Sequence, residues 1–279
     1  MLKLKKKYGF RIILSEKEIN YDNFDLAIIA LPSIKHFSIL KELLIRNFPR
    51  ILCEKPVCTN IDELRELKAL YRDSVSHVTI NYNRSHSVFF KKISEIITTQ
   101  FPDQQPLNVS IRYQRGFINN CSHALSLCQL LLNKKFSLNS FNVFEKKFDF
   151  FETDPTLTGV GVWQDTSLVL NGLPHMPFPF LDILITYADG FVSIFDCANK
   201  VSVQKTNLIS NQTYMNPCDV VFEGNIDSNL IDRILDNTLS NKNMNETLSG
   251  FESILNMTGE MLRVSALAEI SVHKMHQQT

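Results

Sequence analysis

Near residue 84 the hydrophobic pattern of this chain changes period, and that change calls for two different sheets. Before it, three short apolar runs (Asp25 to Leu31, Arg50 to Cys53 and Val78 to Tyr82) alternate with segments that carry leucine and isoleucine at helical spacing, Ser33 to Arg46 and Asn60 to Tyr71. Unbroken apolar runs suit strands buried on both faces, and alternation with helices is how parallel strands are joined. A weaker strand candidate lies at Phe10 to Leu14. Asn60 with Glu63 three residues on predicts a capped start for the second helix.

After Arg84 comes one helix, Val88 to Thr99, then a strand, Leu107 to Tyr113, and a second helix, Ser122 to Asn133. Strand-like runs then follow one another at Phe141 to Phe150, Gly159 to Leu170, Leu181 to Tyr187, Phe191 to Cys197, Val201 to Ile209 and Cys218 to Phe222. Strands that succeed one another without helices imply an antiparallel sheet. Helices over Asn229 to Ser240 and Thr247 to Ala268 close the chain. The expectation is an α/β domain over residues 1–84 with a parallel sheet. An α+β domain over 85–279 with a mostly antiparallel open sheet follows, its helix 247–268 packing back on the first domain.

Composition narrows the partners. The 279 residues carry 29 Lys plus Arg against 29 Asp plus Glu, so no overall field gathers nucleic acid or an anionic membrane. Six cysteines, at 53, 58, 121, 128, 197 and 218, lack the paired spacing of a zinc site or redox motif and read as buried free thiols, with no metal expected. No apolar stretch reaches the roughly 18 residues of a membrane helix, and Met1 to Lys7 is basic without the apolar region of a signal peptide. The expected compartment is therefore cytoplasmic, where sites such as Asn211-Gln-Thr213 carry no glycan.

Four ordered motifs carry a resemblance. Asp25 to Pro32 read with His36 fits a D-x-x-x-x-A-x-P-x-x-x-H pattern at a strand end, and Ile51-Leu-Cys-Glu-Lys-Pro56 follows with a strand ending in Glu-Lys-Pro. Ile80-Asn-Tyr-Asn-Arg84 is a third strand with terminal asparagine and arginine, and Asn119-Asn-Cys-Ser-His123 opens an apolar helix. In order and spacing these resemble the Gfo/Idh/MocA oxidoreductases, and Leu248 to Ala266 resembles their closing helix. The resemblance implies a partial Rossmann-type sheet, NAD or NADP as cofactor, and a sugar, cyclitol or nucleotide-sugar hydroxyl as substrate. It also implies a homo-dimer or tetramer formed through the second-domain sheet.

The family's opening strand, G-x-G-x-x-G turn and helix, which hold the pyrophosphate, have no counterpart among the nine glycines. Neither Gly9 nor the pair Gly159 and Gly161 follows a strand and opens a helix. Met1 to Phe10 reads as the tail of a second helix running into a third strand, so about one βαβ unit plus a helix, on the order of 40 residues, is expected to be missing. The Asp25 to Leu31 strand would then present an apolar edge, to be covered by Phe10 to Leu14 or another chain, unless the true start lies upstream.

By the same resemblance Lys55, at the carboxyl edge of the sheet, contacts the substrate hydroxyl and tunes proton transfer, with a pKa lowered by partial desolvation. His123 is the general base, in the first turn of a helix capped by Ser122. Hydride would pass from the carbinol carbon to the nicotinamide while His123, helped by Lys55, takes the hydroxyl proton. Pro32, Ser33, His36, Glu54, Lys55 and Arg84 border the cofactor; Lys55, Asn119 and His123 border the substrate. Several residues keep a second reading from their type alone. Ser33 caps a helix as readily as it meets cofactor, His36 reads as a surface histidine, and Arg84 either grips an anion or bridges the domains. Trp163 reads as core, with Gln164 and His175 near it in the second domain. Asn119 stands where the family commonly has aspartate and Ser126 where it often has another. An amide cannot exchange a proton at neutral pH, which leaves a second function open: a cofactor-free, catalytically dead remnant that keeps sugar binding or the oligomer surface.

Overall fold

In the computed structural model, residues 19–206, 218–226, 229–240, 248 and 250–276 are described. The strand candidate Phe10 to Leu14, Gly9 and Asn211 lie outside them. The short apolar runs form a three-stranded parallel sheet, β1 (Ala27–Ile29), β2 (Arg50–Cys53) and β3 (His77–Ile80), in the order β1-β2-β3. Register pairs Ile29 with Cys53 and Cys53 with Ile80, so the three strands finish level with one another. That shared edge is where the polar residues emerge.

Helices α1 (His36–Ile45) and α2 (Ile61–Asp73) link these strands and bury Leu40, Leu43, Leu44, Leu64 and Leu67. The Asn60 cap is present: its Oδ1 accepts from the Glu63 N–H at 2.9 Å, and the Glu63 carboxylate reaches back to the Thr59 N–H at 2.9 Å. Such a reciprocal cap fixes the chain direction directly after Pro56.

β4 (Asn108–Tyr113), β5 (Leu138–Lys147), β6 (Thr156–Trp163), β7 (Thr166–Gly172), β8 (Leu181–Tyr187), β9 (Gly190–Phe195), β10 (Lys200–Thr206) and β11 (Cys218–Asn225) form one sheet. Its order is β11-β10-β9-β8-β4-β7-β6-β5, antiparallel except for the parallel β4–β7 pair. The run expected as a single strand from Gly159 to Leu170 is two strands of a tight hairpin, turned at Gln164, whose φ is +53°. Gly159 and Gly161 serve packing there: a Cβ on either would come within 2.7 Å of the Phe141 ring.

The buried face of this sheet is covered by α3 (Val88–Gln100) and α4 (Ser122–Leu132), whose Phe90, Ile93, Leu125 and Cys128 join Val109, Ile111, Leu168 and Ile185 in one core. α5 (Leu230–Leu239) lies against the parallel sheet near β2 and β3, and α6 (Phe251–His276) packs on α2, where Phe251 meets Tyr71 edge to face at 4.6 Å. Among the described residues no helix is long and apolar enough to cross a membrane.

Candidate active site

The site forms where the parallel sheet stops. Ile51, Leu52 and Cys53 are buried, so β2 is anchored up to its last residue and delivers Glu54 and Lys55 at the edge, ahead of a cis peptide bond to Pro56. Lys55 is half-buried. Burial lowers its ammonium pKa, opposed by the charges of Glu54 and Asp154. Its Nζ donates to the Asn119 carbonyl at 2.7 Å and also to Asn119 Oδ1. Glu54 accepts from Asn81 Nδ2 at 2.5 Å, which joins the ends of β2 and β3.

Arg84, just past β3, donates through Nη2 to the Cys197 carbonyl at 2.7 Å, tying the parallel sheet to the β9–β10 turn. That contact is the domain-bridging alternative raised for this residue. Its Nε is buried without a hydrogen-bond partner.

Asn119 and His123 arrive on a widened turn. Gly116 has φ +86°, and its carbonyl accepts from the N–H groups of both Asn120 (3.1 Å) and Cys121 (3.3 Å), so Phe117–Cys121 coil as a π-turn before α4. Ser122 is consequently inside the helical run and not its cap. Its hydroxyl donates to the Asn119 carbonyl at 3.2 Å. The N–H groups freed by the wide turn, those of Ile118 and Asn119, donate instead to the two carboxylate oxygens of Asp154, at 2.8 and 2.7 Å. No local motif marks Asp154, because its partners lie 35 and 36 residues back in the chain.

His123 lies edge-on to the buried Tyr82 ring, centroids 5.5 Å apart. Burial, then the charges of Lys55 and Arg84, push its pKa down to about 3, so the imidazole is neutral at physiological pH. Its ring nitrogens have no hydrogen-bond partner among the described residues. Pro32 and Ser33 are exposed at the end of β1, and Ser33 caps no helix there. Ser33, Pro56, Thr59, Asn119, Phe151 and Asp154 line a cavity of about 310 Å³.

His36 departs from expectation. It is buried, not a surface histidine, with Nδ1 at 2.7 Å from the Pro56 carbonyl and Nε2 at 2.7 Å from the Leu31 carbonyl. Both nitrogens are engaged in pinning the end of β1 to the turn after β2, which leaves neither for a cofactor. Trp163 is core: fully buried, its indole N–H reaches the Lys135 carbonyl at 2.9 Å. Gln164 and His175 occupy turns with φ +53° and +61°, and neither lines the cavity.

The residues at the end of β3 suit a polar ligand such as the nicotinamide end of a dinucleotide. Asn81 Oδ1, Asn83 Oδ1 and Arg84 Nε are all buried there without partners, and buried polar groups are normally satisfied. The carboxyl edge of a parallel sheet is where open α/β folds bind dinucleotides and other ligands. Residues 3–82 match the model of the Gfo/Idh/MocA oxidoreductase family, described as an NAD-binding Rossmann fold.

Solved structures share the fold across both sheets. UDP-N-acetylglucosamine 3-dehydrogenase GnnA from Acidithiobacillus ferrooxidans superposes with a TM-score of 0.70 at 12% identity, over 94% of this chain and 84% of that one. The oxidoreductase yvaA from Bacillus subtilis gives 0.72 at 13% identity, over 96% and 86%. A levoglucosan dehydrogenase, solved with NADH and levoglucosan, gives 0.69 at 14%, over 96% and 86%. No curated protein matches in sequence.

Proposed function

We propose that the protein is an NAD(P)-dependent oxidoreductase acting on a hydroxyl of a sugar, cyclitol or nucleotide sugar. The observation that carries the reading is the half-buried Lys55 bound to Asn119, which lines a cavity at the sheet edge, with the Lys55 charge acting on a neutral His123 that has no hydrogen-bond partner among the described residues. Sugar dehydrogenases among the solved structures of this fold support the substrate class.

NAD(P), when bound, supplies the two-electron acceptor. Ser33, Glu54, Lys55 and Arg84 would hold its nicotinamide end. Lys55 donates to the substrate oxygen and stabilises negative charge that develops on it, an electrostatic role suited to a fixed ammonium in a poorly solvated site. His123, a neutral imidazole, donates its one ring N–H to the same oxygen and orients it. Asn119, gripped by Lys55, keeps the ammonium in place.

The test is a titration of the purified protein with NADH and with NADPH, followed by nicotinamide fluorescence. A panel of sugars, cyclitols and nucleotide sugars then reports reduction of the oxidised cofactor. Saturable binding of one dinucleotide and turnover of at least one panel member are expected. Failure of both dinucleotides to bind overturns the proposal and leaves the cofactor-free reading.

A further inference from the structure

Asn119 stands where the family resemblance calls for an aspartate, yet a carboxylate is brought to its side from another part of the chain. Asp154, on the β5–β6 loop, accepts the Asn119 and Ile118 N–H groups and lines the same cavity as Asn119, Ser33 and Phe151. The π-turn is shaped for it. Gly116 leaves its oxygen room, since a Cβ there would fall 2.2 Å from Asp154 Oδ2, and its φ of +86° disfavours any other residue. Lys55 holds Asn119 through both of that residue's oxygens, and Asn119 holds Asp154 through its N–H, so the three make one connected unit.

Resting on the oxidoreductase reading above, we propose that Asp154 is the proton acceptor of the site, taking the O–H proton of a hydroxyl bound in the cavity beside Asn119. The balance closes. The carbon-bound hydrogen leaves with two electrons to the oxidised dinucleotide, the O–H bond breaks, its electron pair forms the carbonyl, and the proton ends on the carboxylate. Alcohol, oxidised cofactor and Asp154 carboxylate become ketone, reduced cofactor and Asp154 carboxylic acid.

The electrostatics favour this residue over His123. A histidine whose pKa lies at about 3 does not keep a proton at neutral pH, whereas burial pushes the Asp154 carboxyl up to about 6. The N–H groups of Ile118, Asn119 and Phe117 and the Lys55 charge oppose that rise. An acceptor near neutrality both takes and releases a proton. Of the other titratable groups near it, Tyr113 and Cys121 stay protonated because burial raises both pKa values. Asp149, on the same loop, is engaged by the Thr156 hydroxyl at 2.9 Å and the His175 N–H at 3.2 Å.

The test uses the full chain and carbon-detected NMR of aspartate carboxyls in wild type, Asp154→Asn and Lys55→Met. One carboxyl is expected to titrate near pH 6, to be absent from Asp154→Asn, and to move to higher pH in Lys55→Met, where the ammonium that favours the anion is gone. An Asp154 that titrates in the ordinary aspartate range, or does not respond to Lys55→Met, overturns the proposal even if Asp154→Asn fails to fold. With a substrate from the panel, alcohol oxidation by wild type should rise with pH through about 6. Asp154→Asn should lower kcat by about 100- to 10,000-fold with little change in KM and abolish that rise. Retention of both rate and pH profile is equally fatal. NADH fluorescence on the same samples reports separately on the oxidoreductase reading, so the two ideas fail by different signals.

Discussion

The two sheets solve different problems with different strands. Those of the parallel sheet are only three or four residues long, and β2 and β3 are buried along their last three positions. β8 of the large sheet buries every second residue and exposes the alternate ones. A strand covered on both faces has no side chain to spare for chemistry along its length, so its functional groups collect where it ends. Glu54, Lys55, Asn81 and Arg84 all follow the last residue of a parallel strand. A strand with one wet face carries the core on the other and leaves the site to its loops, and Asp154 and Cys197 are loop residues of this kind. The small sheet thus presents the candidate site groups while the large one provides a core and a wall.

Lys55→Met tests that division most severely. Among the described residues its Nζ bonds only to Asn119, so its loss should leave the fold intact while turnover falls by about 100- to 1,000-fold. Steady-state kinetics beside a thermal melt would check this. A large fall in melting temperature with rate preserved would erase the contrast between the sheets.

Trp163→Ala is the opposite case. The indole is fully buried at the end of β6, edge-on to Phe136 at 5.1 Å, and is not among the residues that line the cavity. Truncation should cost about 3–5 kcal/mol in denaturant unfolding. Dinucleotide affinity, measured under conditions where the variant remains folded, should hold.

Acid should also weaken the junction just past the parallel sheet. His86, buried just past β3, has its pKa pushed down to about 4, chiefly by burial and then by the Lys91 charge. A histidine depressed in the folded state has its stabilising effect fully present above the unfolded value of 6.5. The effect is lost as pH falls through the folded value, because the unfolded chain binds the proton first. The window is therefore pH 6.5 to about 4, and the loss for this one group is on the order of 3 kcal/mol at most. His86→Gln should flatten the acid limb of a stability-versus-pH curve in that window, and an unchanged limb would place the acid sensitivity elsewhere.

How much of this could be read from the residues follows from the range of the interactions. Lys55 and the ends of β2 and β3 were legible because an apolar run followed by Glu-Lys-Pro or Asn-Tyr-Asn-Arg is a local pattern. The single-strand reading of 159–170 fails because the turn at Gln164 uses a left-handed glutamine where the usual signal is glycine or asparagine. Ser122 looked like a cap only because the preceding π-turn is invisible in a sequence. That turn exists through contacts to Asp154 across the β5–β6 loop. His36 read as exposed since its two carbonyl partners, at Leu31 and Pro56, come together only when β1 and β2 pair. Local patterns placed the strand ends, and long-range contacts decided which polar side chains there were free to act.

The smallest effect is expected on the open face of the large sheet. Arg112, on β4, pairs with Asp182, its partner in register on β8, at 2.8 Å, and half of the arginine side chain remains in water. Solvent screens such a pair, and ordering a long side chain offsets much of the attraction, so Arg112→Ala should change the unfolding free energy of the monomer by about 1 kcal/mol or less. The same face carries a groove bordered by Ser110, Arg112, Asp182, Gln204 and Glu223, and the family resemblance predicts self-association through this sheet. If that prediction holds, light scattering across a dilution series should show Arg112→Ala weakening assembly by more than it weakens the fold, because a charge pair enclosed between subunits loses its screening. Equal small effects on both would make this face ordinary solvated surface, and the wall role of the large sheet would then rest on its buried side alone.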